Sequence, residues 1–183
     1  MSNIERKALE LIEKHISDYG DCNPGLEYYG NLIFDATRQG VCVVKKIIEI
    51  FEKVNIDTVI FNKQFNDKYC IEGDAIFYKD KTELIRFEPS TNLKECEIPC
   101  NVLSNAFEDS KLEKIIVNNN VNAMGSKVFL NCNKLKEIIF QNGETKLDNC
   151  CFDGCNDSLV IKAPAGGYIE EYAKKYNIKF EAI

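Results

Sequence analysis

Three copies of one phrase occupy the C-terminal half of this 183-residue chain. Each joins a small or apolar residue to Phe, crosses a polar stretch to Leu, and runs into an apolar-alternating segment. The copies run from Ala106-Phe107 to Leu112-Glu113-Lys114-Ile115-Ile116-Val117, from Val128-Phe129 to Leu135-Lys136-Glu137-Ile138-Ile139-Phe140, and from Cys151-Phe152 to Leu159-Val160-Ile161. Phe107, Phe129 and Phe152 stand 22 and 23 residues apart. A fixed period of this size specifies a solenoid, in which each coil buries its apolar face only against its neighbours.

Outside the repeat the periodicity changes. Ile4, Ala8, Leu11, Ile12 and His15 recur at helical spacing and predict a helix over 3–17. Asp18-Tyr19-Gly20 and Asn23-Pro24-Gly25 then read as breaks. Residues 26–40 are ambiguous between strand and short helix, while Val41, Val44, Ile47, Ile48, Phe51 and Val54 predict a second helix over 41–54. Ile56-Asp57-Thr58-Val59-Ile60-Phe61 matches the repeat strands in form and reads as the strand of an early coil. Ala75–Tyr78 and Glu83–Phe87 read as a hairpin around a Lys-Asp-Lys-Thr turn.

An irregularity of phase interrupts the repeat. Val121 precedes Phe129 by eight residues and Val102 precedes Phe107 by five, so the earlier coil reads as trimmed. Asn118-Asn119-Asn120 and Asn142-Gly143 read as turns, since Asn and Gly tolerate left-handed backbone. Gly166 to Asn177 predicts a short amphipathic helix ended by Asn, and Ile178 to Ile183 a closing strand. Together they read as a cap over a sticky solenoid end.

Alternate strand residues face opposite ways. Leu112, Ile115, Val117, Leu135, Ile138 and Phe140 are assigned inward. The outward set includes Ile116, Ile139 and Val160 as equivalent positions, joined by Ile60 if the early coil exists. Equivalent positions stack about 4.8 Å apart, so these four predict an aliphatic row on the outer sheet face. Covering such a row stabilises by about 25 cal/mol per Å². Three covers are open: the N-terminal helices, a second copy of the chain in a symmetric dimer, or a different protein partner. Lys114, Glu137 and Lys162 would rim the row.

Composition excludes several classes. The net charge of −6 argues against a nucleic-acid partner. No apolar run is long enough to span a membrane and no secretory h-region comes after Met1, which together predict a cytoplasmic chain without membrane insertion, or a cell-surface one if a signal segment was removed. The nine cysteines are irregularly spaced, and buried free thiols are the simplest reading. Cys96 and Cys100 have zinc-compatible spacing without a matching second pair, so no metal or cofactor is predicted. His15, the one histidine, reads as solvated or half-buried. Asp18 and Asp21 suit turn-capping rather than calcium. Asn156-Asp157-Ser158 is a formal glycosylation acceptor.

Ile98-Pro99, Val102, Ala106-Phe107, Val121, Met124-Gly125, Val128-Phe129, Asn131-Cys132, Leu135, Ile138 and Gly154-Cys155 together resemble the BspA-like leucine-rich repeat family. The hairpin around Tyr78 to Ile85 is similar to an insertion found between such coils, and Tyr168 to Phe180 to the family's terminal cap. The resemblance spans residues 55–183 and implies an α+β repeat fold: a short leucine-rich-repeat-type β-solenoid with a helical N-terminal segment, 1–54, and a C-terminal cap. Family members are mostly binding proteins, many of them surface adhesins or receptors, and share no catalytic residues. The expected function is therefore protein–protein interaction through the sheet face, without catalysis. A surface adhesin or a regulatory accessory domain of an enzyme complex is the alternative.

Overall fold

The N-terminal apolar stripes become helices because each buries one face. The computed structural model describes residues 1–19, 26–53 and 58–183, with side chains for 1–15, 29–53 and 61–183. It divides into two compact units, Met1–Lys81 and Thr82–Ile183.

In the first unit α1 spans Asn3–Tyr19. A capping box opens it: the Glu5 amide donates to Ser2 Oγ at 3.1 Å and the Ser2 amide to Glu5 Oε2 at 3.4 Å. The helix continues through Asp18 and Tyr19, whereas Gly20, Asp21 and Asn23-Pro24-Gly25 lie outside the described residues. The ambiguous stretch is α2 (Leu26–Gln39), with Tyr29, Leu32, Ile33 and Ala36 buried at helical spacing. Gly40, at φ +117°, separates it from α3 (Val41–Lys53). Contrary to expectation, His15 is buried, with Nε2 3.2 Å from Asp35 Oδ2.

The strand expected over 56–61 is not formed. Residues 54–57 lie outside the described set, and Thr58-Val59-Ile60-Phe61 open a helix, α4 (Thr58–Lys68). Phe61 and Phe65, one turn apart, are buried, and Phe61 meets Phe51 edge-on at 5.7 Å. A hairpin comes next: β1 (Tyr69–Glu72) pairs antiparallel with β2 (Ala75–Tyr78) around Gly73, at φ +57°. The strand at 75–78 was legible in the sequence; its partner β1 was not.

The second unit is the solenoid. It comprises β3 (Glu83–Phe87), β4 (Glu95–Ile98), β5 (Asn101–Val102), β6 (Lys114–Val117), β7 (Ala123–Met124), β8 (Glu137–Phe140), β9 (Lys146–Leu147), β10 (Val160–Ala163), α5 (Tyr168–Lys175) and β11 (Lys179–Ala182). One parallel sheet orders β4-β6-β8-β10-β11; in a second, β3, β5, β7 and β9 are successive parallel neighbours. Leu112, Ile115, Val117, Leu135, Ile138 and Phe140 all point inward and are buried, as their alternation requires. Phe87, Phe107, Phe129 and Phe152 stack behind them with centroids 5.0, 5.5 and 5.2 Å apart. Phe87 is a rung that the strict period missed, because it lies 20 residues before Phe107.

The supposed trimming of the Val102 coil is also corrected. Val102 pairs with Met124, and Met124 with Leu147, and each lies five residues before its Phe. Left-handed residues turn the coils of Phe107, Phe129 and Phe152 at two fixed corners. Asn105, Lys127 and Cys150 form one series (φ +63°, +54° and +62°), and Asp109, Asn131 and Gly154 the other (+62°, +59° and +71°). The expected left-handed sites at Asn118-Asn119-Asn120 and Asn142-Gly143 are not among them. The asparagines there serve by hydrogen bonding instead, as when Asn120 Nδ2 donates to the Pro99 carbonyl at 2.7 Å.

The cap forms as expected. Tyr168, Tyr172 and Tyr176 reach from α5 and the residue after it to the last coil, donating to Leu147 O (2.9 Å), Asp148 O (3.4 Å) and Asn149 Oδ1 (2.8 Å). Asn177, left-handed at φ +54°, ends the helix, and the Ile178 amide closes back on the Ala173 carbonyl at 2.9 Å.

Candidate functional site

The outward face of the five-stranded sheet is built by register. Parallel pairing aligns Lys114 with Glu137 and Glu137 with Val160, while Ile116 aligns with Ile139 and Ile139 with Lys162. Two columns result. The first runs Glu95, Lys114, Glu137, Val160, Lys179; the second runs Glu97, Ile116, Ile139, Lys162, Glu181.

Six of the seven expected residues therefore share one face, but not one row. Ile116 and Ile139 are in register, whereas Val160 stands in the neighbouring column. The expected four-member aliphatic row is instead a pair of isoleucines with a valine on the diagonal. Ile60 is absent from it, since it lies in α4 of the other unit. The slip at Val160 has a sequence cause. Ile138 comes three residues after Leu135 but its partner Ile161 only two after Leu159, so distance from Leu does not carry over from one strand to the next. Counting outward from the inward pair Ile161 and Ala163 places Val160 and Lys162 correctly.

Ile116, Ile139 and Val160 are each half-buried among ion pairs that cross the strands. Lys162 Nζ reaches Glu137 Oε2 at 2.7 Å and Glu181 Oε2 at 3.5 Å; Lys114 Nζ reaches Glu137 Oε1 at 3.4 Å; and Lys179 Nζ reaches Glu181 Oε1 at 2.8 Å. Hydrogen bonding from Lys162, chiefly, lowers the Glu137 pKa, against the opposing effect of burial, and Glu137 in turn raises that of Lys162. A second chain runs beside it, Lys94–Glu113 at 3.0 Å and Glu113–Lys136 at 2.6 Å, and these two lysines, Lys136 foremost, hold the Glu113 carboxyl at about 2. Each exposed pair stabilises little by itself, but the chain fixes where every charge sits.

The face presents two aliphatic pads between fixed, alternating charges. Such a surface can bury apolar area and match a complementary charge pattern. Among the described residues, no three His, Cys, Asp or Glu side chains converge as a metal site requires. No described helix is long and apolar enough to cross a membrane.

Comparison with known proteins bears on the fold. The family described as BspA type leucine rich repeat region matches residues 51–181 in six copies. A crystal structure of a leucine-rich repeat protein from Bacteroides capillosus aligns with 54% of this chain and 99% of its own, at 17% identity and a TM-score of 0.40. No curated protein matches the chain.

Proposed function

The chain belongs to the BspA-type leucine-rich repeat family, and from that premise we propose that it binds a protein partner through the outward sheet face and performs no catalysis. Repeats of this family suggest interaction or adhesin-like modules. The observation that supports the sheet face is the in-register pair Ile116 and Ile139, with Val160 on the diagonal, inside a ring of fixed charge from Lys114, Glu137 and Lys162. Solvent-facing Ile side chains gain from being covered at about 25 cal/mol per Å². The flanking ion pairs would supply register and reject mismatched partners.

Solution mass by light scattering, with urea unfolding, tests this on the wild type and on Ile116→Glu/Ile139→Glu. A wild-type dimer that becomes a folded monomer identifies a second copy as the partner. Two folded monomers of similar stability leave the face open for a different protein. A double variant that unfolds, or that loses several kcal/mol, means the face is interior and the proposal fails.

A further inference from the structure

Ser110, Cys132 and Cys155 each come three residues after a stacked Phe, so they occupy one position in successive coils. Ser110 and Cys132 are buried, and Cys155 is half-buried. Cys155 also lines an open cavity of about 520 Å³, together with Asp153, Asn156, Tyr176 and Ile178. Its thiol donates to the Phe129 carbonyl at 3.2 Å, and the Cys132 thiol donates to the Phe107 carbonyl at 3.0 Å. The Cys132 backbone amide donates to the same Phe129 carbonyl at 3.2 Å, so one acceptor gathers both cysteines. The coils beside them are locked together, with the Asn131 amide donating to the Asp153 carbonyl at 2.8 Å. Positions stacked about 4.8 Å apart fall inside the Cα separation of about 4.4–6.8 Å that a disulfide spans.

We propose that Cys155 is a hydroperoxide-reactive thiol and that Cys132 is its resolving partner, so that oxidation staples two adjacent coils. The Cys155 thiolate attacks one oxygen of hydrogen peroxide. The O–O bond breaks, hydroxide leaves and takes up a proton as water, and Cys155 becomes a sulfenic acid. The Cys132 sulfur then gives up its proton and attacks the Cys155 sulfur. The S–O bond breaks, a second water leaves, and the S–S bond forms. Two thiols lose two electrons in all, and one peroxide is reduced to two waters.

Ionisation of the pair favours this order. Cys132 carries a single proton, which it can direct to the Phe107 carbonyl or to Cys155. That hydrogen bond, foremost, lowers the Cys155 pKa against burial and the nearby Asp153 carboxylate, and raises that of Cys132. Burial pushes Cys96 up to about 12 and Cys100 and Cys151 to about 11. Of these four thiols, the one that faces the cavity ionises most readily.

The test is peptide mapping of the reduced full chain after one equivalent of hydrogen peroxide, without reductant and with dimedone present in parallel. The wild type is expected to yield peptides joined through Cys132 and Cys155. Cys132→Ser, which installs the residue already present at Ser110, is expected to keep the fold and to carry dimedone on Cys155. Cys155→Ser is expected to yield neither product. Under limiting alkylation Cys155 is expected to react at least about tenfold faster than Cys96, Cys100 or Cys151, the factor that one pKa unit makes in thiolate fraction. Sulfenic acid first on another cysteine, or wild type that stops at a Cys155 sulfenic acid, overturns the proposal.

Discussion

Val59-Ile60-Phe61 and Ile138-Ile139-Phe140 are nearly the same tripeptide, yet the first is helical and the second is a strand. In β8 both edges are occupied, by β6 and β10, so every backbone group has a neighbour, and Ile138 and Phe140 alternate into the core. In α4 the apolar tripeptide is followed by Asn62-Lys63-Gln64, which offers no inward side chain for a strand to bury. The next apolar residue, Phe65, is four residues on from Phe61, and a helix puts both on one face. β-branched residues suit a strand only where other strands are there to pair with it.

Removing a ring from the solenoid spine is the strongest way to break this contrast. Phe129→Ala is expected to cost about 3–5 kcal/mol and to raise amide exchange across 82–183, because two stacking contacts end on one side chain. Within β8 itself, Ile138→Ala is expected to cost about 2–5 kcal/mol and Ile139→Ala less than about 1, measured by urea unfolding. Equal costs would contradict the assignment of faces. The helical side of the contrast is sharpened at Lys63, an exposed position in α4. There Lys63→Gly is expected to be about 0.5–1 kcal/mol less stable than Lys63→Ala, and equal stability would argue against the helix.

The smallest effect concerns charge. Glu113 is held at about 2 by hydrogen bonds from Lys136 and Lys94. A carboxylate depressed on folding stabilises the fold above its unfolded value, about 4.3, and that contribution is lost as pH falls through the folded value. Glu113→Gln is therefore expected to flatten the stability profile between about pH 4.5 and pH 2, with the difference shrinking in 1 M salt.

These contrasts also show where sequence reading succeeds. Phe107, Phe129 and Phe152 announced the coil period because each ring touches its own equivalents, so the pattern must repeat. The inward residues of β6 and β8 came from alternation alone. The helical unit has no such echo. Tyr29, Leu32, Ile33 and Ala36 mark α2 at helical spacing, but the adjacent apolar run Leu32-Ile33-Phe34 mimics a strand. His15 was misjudged because its partner, Asp35, is 20 residues away on another helix. On the candidate face, the residue types were legible and the register of Val160 was not, because hydrogen bonds between strands set register and a one-residue shift within the coil hides it.

The two left-handed corners in the coils of Phe107, Phe129 and Phe152 have a further consequence. They are always four residues apart, at 105 and 109, 127 and 131, and 150 and 154, while the interval to the next coil is 18 residues in one case and 19 in the other. The corner is thus a rigid ruler and the remainder of the coil absorbs the slack. Gly154 shows how tight the ruler is, since a Cβ there would lie 2.6 Å from Asn131 Oδ1. Descendants of such a chain can lengthen or shorten a coil between corners and keep the stack in phase. A single insertion between 150 and 154 would throw every later rung, the tyrosine cap included, out of step.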